Sequence, residues 1–265
     1  MVKVPKSIKL TAVDNIPLIS PNDNIAKIIF SAVKTEKIKI EEGDILVIAQ
    51  KIVSKAENRY EFLNKIIPSK ESIELAKKTD KDARLVELIL RESKKVVRYR
   101  KGVIVVEHKL GFIHANAGID RSNIDTDSTN PKVLLLPENP DRSASNLKKD
   151  LSRLFNRSVG VIINDSAGRA WRNGIVGIAI GSSGVTVLSD LRGKKDLYER
   201  TLETTEVGMT DELASAASIL MGQANEGLPV IIVNGLIPSQ DNRGANALIR
   251  SEKDDLFRWK IAKEY

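Results

Sequence analysis

The chain has 265 residues, 42% hydrophobic and 29% charged, enough for one large or two modest globular domains with a substantial core. With no cysteine and only two histidines, His108 and His114, it cannot build disulfides, thiolate-ligated zinc, iron–sulfur clusters, a cysteine nucleophile or a histidine-rich metal site. Lys and Arg outnumber Asp and Glu by 42 to 35, which suits an anionic partner such as nucleotide, phosphate, carboxylate or nucleic acid.

Met1 to Leu10 lacks the apolar stretch of a signal peptide, and no apolar run approaches the roughly 20 residues that span a bilayer. The expected location is therefore cytoplasmic, with no membrane partner. Ile25, Ile28, Ile29, Ala32 and Val33 predict a helix capped by Asn22 or Asp23. Asp44 to Ala49 reads as a buried strand, and a helical turn after it would set Lys51 and Lys55 on one face. An internal boundary is expected in the polar region 58–82. Leu85, Val86, Leu88 and Ile89 mark a helix, Ser93 to Lys101 an exposed helix end and strand start, and Val103 to Val106 a strand.

Val133 to Leu136 predicts another strand, stopped by Pro137. Leu147, Leu151, Leu154 and Phe155 form the stripe of the next helix, with Asp141 or Ser143 near its start. Val159 to Ile163 predicts a strand ending at Asp165, where the chain is expected to turn. Ile175–Ile180 and Val185–Leu188 predict a hairpin connected by Gly181 to Gly184. Leu213, Ala217, Leu220 and Met221 form a helical stripe ended by Gly222, and Val230 to Val233 is a last buried strand. A terminal helix is expected around Asp254 to Ala262. The order is irregular and contains a hairpin, so the fold class is α+β: mixed sheets with flanking helices, and room for two interleaved subdomains.

Neither a Walker loop nor a Rossmann glycine fingerprint occurs. Any metal must rest on carboxylate, hydroxyl, amide, water or substrate oxygens, which is the chemistry of Mg²⁺ or Mn²⁺. Four segments can supply such groups. His114 to Asn123 combines small residues with Asp120; an ordinary Asx turn explains it equally well. Asn164 to Gly174 places Asp165 and Ser166 ahead of Arg169 and Arg172, which could clamp an anion or simply pair with Asp165. Gly43 to Glu57 carries Gln50, Lys51 and Lys55. Met221 to Gly227 carries Gln223 and Glu226, although a helix C-cap loop accounts for most of its composition.

Taken in order, these segments resemble one family, the coenzyme F420-0:gamma-glutamyl ligases. The resemblance runs from Ile16–Pro17–Leu18–Ile19 through GDILVIAQKIVSKAE, HANAGID-x-SN, LLPENPD, NDSAGRAWRNG and DELASAASILMG to DLFR at Asp255–Arg258, nearly the whole chain. It implies a single catalytic unit over 1–265 that uses GTP to join L-glutamate to a deazaflavin coenzyme precursor through an acyl phosphate, with further gamma-linked glutamates where they occur. Asp120 and Asp165 match carboxylates holding one metal, while Ser166 and Gln223 match ligands of a second. Ile16, Pro17, Leu18, Ile19, Gln50, Lys51, Lys55 and Asn123 match nucleotide contacts, as does the loop Met221, Gly222, Gln223, Ala224, Asn225, Glu226, Gly227 and Leu228.

Two divalent ions, Mg²⁺ or Mn²⁺, are implied, with K⁺ compatible beside them, and a homodimer. Ala170 departs from the family's usual proline and His114 from an apolar or small residue. Asp165→Ala is expected to abolish turnover and spare the fold, on the view that a cleft carboxylate packs little. The competing readings are a metal-dependent nucleotide phosphohydrolase or nucleotidyl transferase using the same aspartates, and a basic nucleic-acid-binding module using Lys94 to Lys101. The scarcity of aromatics argues against the last, as a stacking platform needs them.

Overall fold

The computed structural model describes residues 5–124, 129–236 and 241–256. In chain order its elements are β1 (Lys9–Ala12), α1 (Ile25–Thr35), β2 (Ile45–Ala49), α2 (Gln50–Ala56), β3 (Tyr60–Phe62), α3 (Lys70–Thr79), α4 (Ala83–Arg91), β4 (Ser93–Arg100), β5 (Val103–His108) and β6 (Ile113–Ala115). Then follow β7 (Lys132–Leu134), α5 (Pro140–Phe155), β8 (Gly160–Arg169), β9 (Arg172–Ser183), β10 (Leu188–Asp190), β11 (Glu206–Gly208), α6 (Met209–Met221) and β12 (Val230–Asn234).

A five-stranded sheet in the order β1-β12-β2-β8-β9 forms the centre, with β2 and β8 parallel and the other pairs antiparallel. Its faces follow the two-residue period of a strand. Leu46, Ile48, Val161, Ile163, Val230 and Ile232 join a core with α1 and α5, whereas Ile45, Val47, Ile162, Ile231 and Val233 join one with α6. Each fully buried aliphatic chain stabilises the fold by roughly 1.5–3 kcal/mol. A further core gathers Leu75, Leu85, Val86, Ile89, Ile104, Val106 and Val133 from α3, α4, β5 and β7, with Leu63 and Ile66 from the segment between β3 and α3. The mixed sheets and flanking helices make the fold α+β, and no helix among the described residues is long and apolar enough to cross a membrane.

Four local expectations need correction. The cap of α1 is Asn24, whose side chain accepts from the Lys27 amide at 3.0 Å; Asp23 instead accepts from Ser20 at 2.7 Å and closes the turn before it. The basic stretch after α4 is a full strand, since an edge position with one open face tolerates charges. Residues 181–183, expected as a connection, lie within β9, and β8 and β9 form one long hairpin turned at Ala170–Trp171, with Trp171 at φ 64°. The strand assigned to Val185–Leu188 is instead Leu188–Asp190, paired with β11. The glycines misled because they serve packing: a Cβ at Gly177 would meet Ser218 and Ala214 of α6, and one at Gly181 would meet Pro140 of α5. Asp165 therefore lies inside a strand, and the expected terminal helix falls mostly outside the described residues.

Candidate active site

One end of the central sheet collects segments distant in sequence. Ala49, the last residue of β2, pairs with Asn164, and its amide donates to the Pro229 carbonyl at 2.8 Å. The Val13 amide donates to the Val230 carbonyl at 2.9 Å. The chain leaving β1, the start of α2, the middle of β8 and the approach to β12 thus adjoin. The carboxyl ends of parallel strands are the usual ligand crevice of such sheets.

Lys51 and Lys55 lie one turn apart on α2. The Lys51 Nζ is 2.7 Å from Asp120 Oδ2 and donates to Ser122 Oγ at 2.9 Å. The Ser122 amide and hydroxyl in turn donate to Asp120 Oδ1 at 2.7 and 2.8 Å. The Asp120 backbone is fixed by reciprocal bonds with Leu134 of β7, at 2.9 and 3.0 Å. Burial pushes the Asp120 carboxyl up, but the bonds from Lys51 and Ser122 outweigh it and hold the group below the ordinary range. Lys55 donates to the Asn123 carbonyl at 2.8 Å, and burial together with neighbouring Lys51 pushes its pKa down. Asn123 donates to the Ala224 carbonyl at 2.9 Å, which joins this loop to the one after α6.

Asp165 is set differently. Its Oδ1 accepts from the Ser166 amide at 2.8 Å. Its Oδ2 lies 3.1 Å from His114 Nε2, but the pair is too misaligned for a regular hydrogen bond, and neither buried atom has another partner. The other ring nitrogen of His114 is 3.0 Å from the Ala115 carbonyl. Oxygens facing both nitrogens favour the doubly protonated ring. Burial pushes the His114 pKa down, yet Asp165 and the nearby carbonyl raise it by more, and the net shift is upward.

Phe112 stands edge-on to His114 at 6.0 Å and stacks on His108 at 5.1 Å. Burial, followed by the charge of His114, lowers His108 to about 4. Its Nδ1 accepts from the Leu110 amide at 3.0 Å, as a neutral ring must to do so.

The remaining expected residues fall in varied settings. Gln50 is buried and accepts from the Ser54 hydroxyl at 2.9 Å. Ile19 is core, Ile16 half-buried, Pro17 exposed and Leu18 92% exposed, so the four differ in what they can offer a ligand. Ser166 is half-buried, as are Met221, Gly222 and Leu228; Gln223, Ala224, Asn225, Glu226 and Gly227 are exposed. Glu226 accepts from the Ala224 amide at 2.8 Å and folds over Gly222, where φ is 67° and a Cβ would collide with its side chain. Arg169 and Arg172 sit at the exposed hairpin tip, Arg169 donating to the Asn173 carbonyl at 3.0 Å and not pairing with Asp165.

In the basic strand β4, Lys94 and Lys95 face Glu107, and Lys101 pairs with Asp80 just beyond it, which offsets part of that charge. In the sequence His114 stood out only as a departure from the family pattern, and Ser122 was given no role. The available signals were the rarity of histidine and the position of Ser122 two residues after an aspartate, where an Asx turn places it.

The donors suit a hard cation: Asp120 already holds an ammonium, and Asp165 Oδ2 is buried with no aligned donor. Among the described residues no group of three or more His, Cys, Asp or Glu could hold a metal by itself. A bound ion would therefore also draw on Ser166, Gln223, water or substrate oxygen.

Residues 14–235 match the family model described as F420-0:Gamma-glutamyl ligase. The Coenzyme F420:L-glutamate ligase of Methanocaldococcus jannaschii is 50% identical over 220 residues, which is 83% of this chain and 86% of the relative. The enzyme of the same name from Methanopyrus kandleri is 46% identical over 253 residues, 93% and 97% of the two chains. That from Archaeoglobus fulgidus is 38% identical over 251 residues, 95% and 96%.

Proposed function

Because the chain belongs to the F420-0:gamma-glutamyl ligase family, we propose that it is a GTP-dependent ligase that adds L-glutamate to the deazaflavin precursor F420-0. The observation that carries this reading is that Lys51 and Lys55 of α2 hold Asp120 and the Asn123 loop, while Asp165 follows Asn164, the register partner of Ala49 just before α2. The γ-phosphoryl group of GTP passes to the lactyl carboxylate, leaving GDP and an acyl phosphate. The amine of glutamate then attacks the acyl carbon, the C–O bond to phosphate breaks, and the amine loses a proton as the amide forms.

Lys51 and Lys55 bind and orient the phosphate chain, supplying positive charge where the transferred group is most negative. When Lys51 turns to phosphate, Asp120 is released from its ammonium. Asp120, Asp165, Ser166 and Gln223 would hold the two divalent ions, whose chemistry is to neutralise phosphate charge and align the reacting oxygens. His114 faces the Asp165 carboxyl at 3.1 Å and, with the Ser166 amide, helps fix its direction. Residues 16–19 and 221–228 flank the nucleotide. The same reading includes cytoplasmic location, a homodimer, and a subdomain built on the second core with its boundary in 58–82.

The test is to incubate the purified chain with GTP, the precursor and glutamate and to follow products by mass spectrometry. A glutamylated product with GDP is expected. GTP consumption that ignores glutamate and yields no such product would sink the ligase reading.

A further inference from the structure

A cavity of about 560 Å³ lies along the outer edge of β9, walled by Leu110, Phe112, Ile178, Ile180, Leu248 and Ile249. The size is that of a small-molecule site, and the lining mixes apolar side chains with polar groups in near-equal share. Its lining is closed partly by two carboxylates that satisfy edge amides. Asp211 accepts from Ala179 at 2.9 Å, and Asp141 accepts from Ser182 at 2.9 Å, Ala245 at 2.7 Å and Asn246 at 3.3 Å. The open edge of the sheet is thereby blunted and the walls are held in place.

Charge narrows the occupant. Among the described residues Lys109 is the single cation in the lining, and it leans on Glu92 at 3.4 Å, while Asp141 and Asp211 are acidic. Such a lining repels a triphosphate or a free amino-acid carboxylate. A flat, largely apolar heterocycle with a polar edge fits better: Phe112 and the aliphatic walls meet its faces, and Asn246 and Asp211 meet its imide N–H and carbonyls.

Position supplies the second argument. Ile178 is the register partner of Asp165 across the β8–β9 pair, and Phe112 stands edge-on to His114, which faces Asp165. The cavity and the candidate reacting centre therefore share a wall. We infer that the β9-edge cavity receives the deazaflavin ring of the substrate, leaving its phosphate-bearing tail to run past Ile178 toward Asp165. This assignment rests on the ligase reading for its ligand.

The experiment uses the full chain and the phosphate-free deazaflavin riboside as probe, followed by fluorescence anisotropy of the ring without nucleotide. GTP affinity is measured separately by calorimetry. Leu248→Trp, which fills the cavity, should weaken riboside binding about tenfold or more and leave GTP affinity unchanged. If that variant misfolds, Leu248→Ala removes part of the wall without added bulk and should weaken ring binding at unchanged GTP affinity. Failure of the wild type to bind the riboside, or equal binding by a folded variant, overturns the assignment. A wild type that binds the riboside in a Leu248-dependent way but makes no glutamylated product upholds the cavity and removes the ligase reading.

Discussion

Asp120 pairs with Lys51 of α2 and Asp165 follows the residue that pairs with Ala49 just before that helix, yet one aspartate is held by a loop and the other by a strand. Asp120 is gripped by Lys51 and twice by Ser122, all movable side chains or turn backbone on a partly open surface. Asp165 is 9% exposed inside β8, with a single bond to its own neighbour's amide and a histidine opposite. A carboxylate paired with a mobile ammonium can exchange that cation for another at little cost. A buried one depends on partners fixed by packing, so its direction is set before any ligand arrives. The loop thus supplies adaptability and the strand supplies position.

Removing the charge from the strand side should cost most. Asp165→Asn is expected to lower turnover about a thousandfold. The burial of Asp165 overturns the idea that it packs little, so Asn, which keeps the volume, is a cleaner replacement than Ala. Retained turnover with unchanged metal dependence would exclude Asp165 from the centre.

The histidine ladder behind Asp165 makes a stability prediction. Folded His108 stays neutral down to about pH 4, whereas in the unfolded chain it protonates near 6.5. The unfolded state takes up the proton first, so this contribution is complete above about pH 6.5 and is lost as pH falls toward 4, by roughly 3 kcal/mol. His108→Gln should flatten that part of the urea-derived stability profile. Parallel profiles for variant and wild type would refute the neutral buried ring.

On the loop side, Lys51→Met should raise the KM for GTP about tenfold, the scale of one charged hydrogen bond. Because it frees Asp120 of its ammonium, it should also lower the metal concentration giving half-maximal activity. If both constants rise together, Lys51 acts only in folding the loop. The smallest effect belongs to Ser122→Ala, expected to change KM by about threefold, since the Ser122 amide still holds Asp120. A loss as large as that of Asp165→Asn would erase the distinction between loop and strand.

Much of the frame was legible in residue order. The apolar run 45–49 followed by lysines four apart announced β2 and α2, and the stripes of α1, α4, α5 and α6 marked their helices. Glycines defeated the same reasoning at β9, because a glycine that admits a crossing helix looks like one that turns the chain. Asp165 was read as a turn residue because an apolar run ended there, whereas the ladder with β9 continues through it to Arg169. His114 carried no local sign of its role, since its partner lies on another sheet.

By itself the sequence determined which chemistries were open: no thiolate and almost no imidazole, hence oxygen ligands, and an ordered set of segments pointing to one family. Tertiary structure alone decided which of those oxygens face a cation, which are spent on backbone amides, and where a cavity of mixed lining adjoins them. Local spacing constrains neighbours only over a helical turn or a strand repeat. The bonds that assemble this site span 71 residues from Lys51 to Ser122 and 101 from Asn123 to Ala224, distances over which only the packing of the whole core sets geometry.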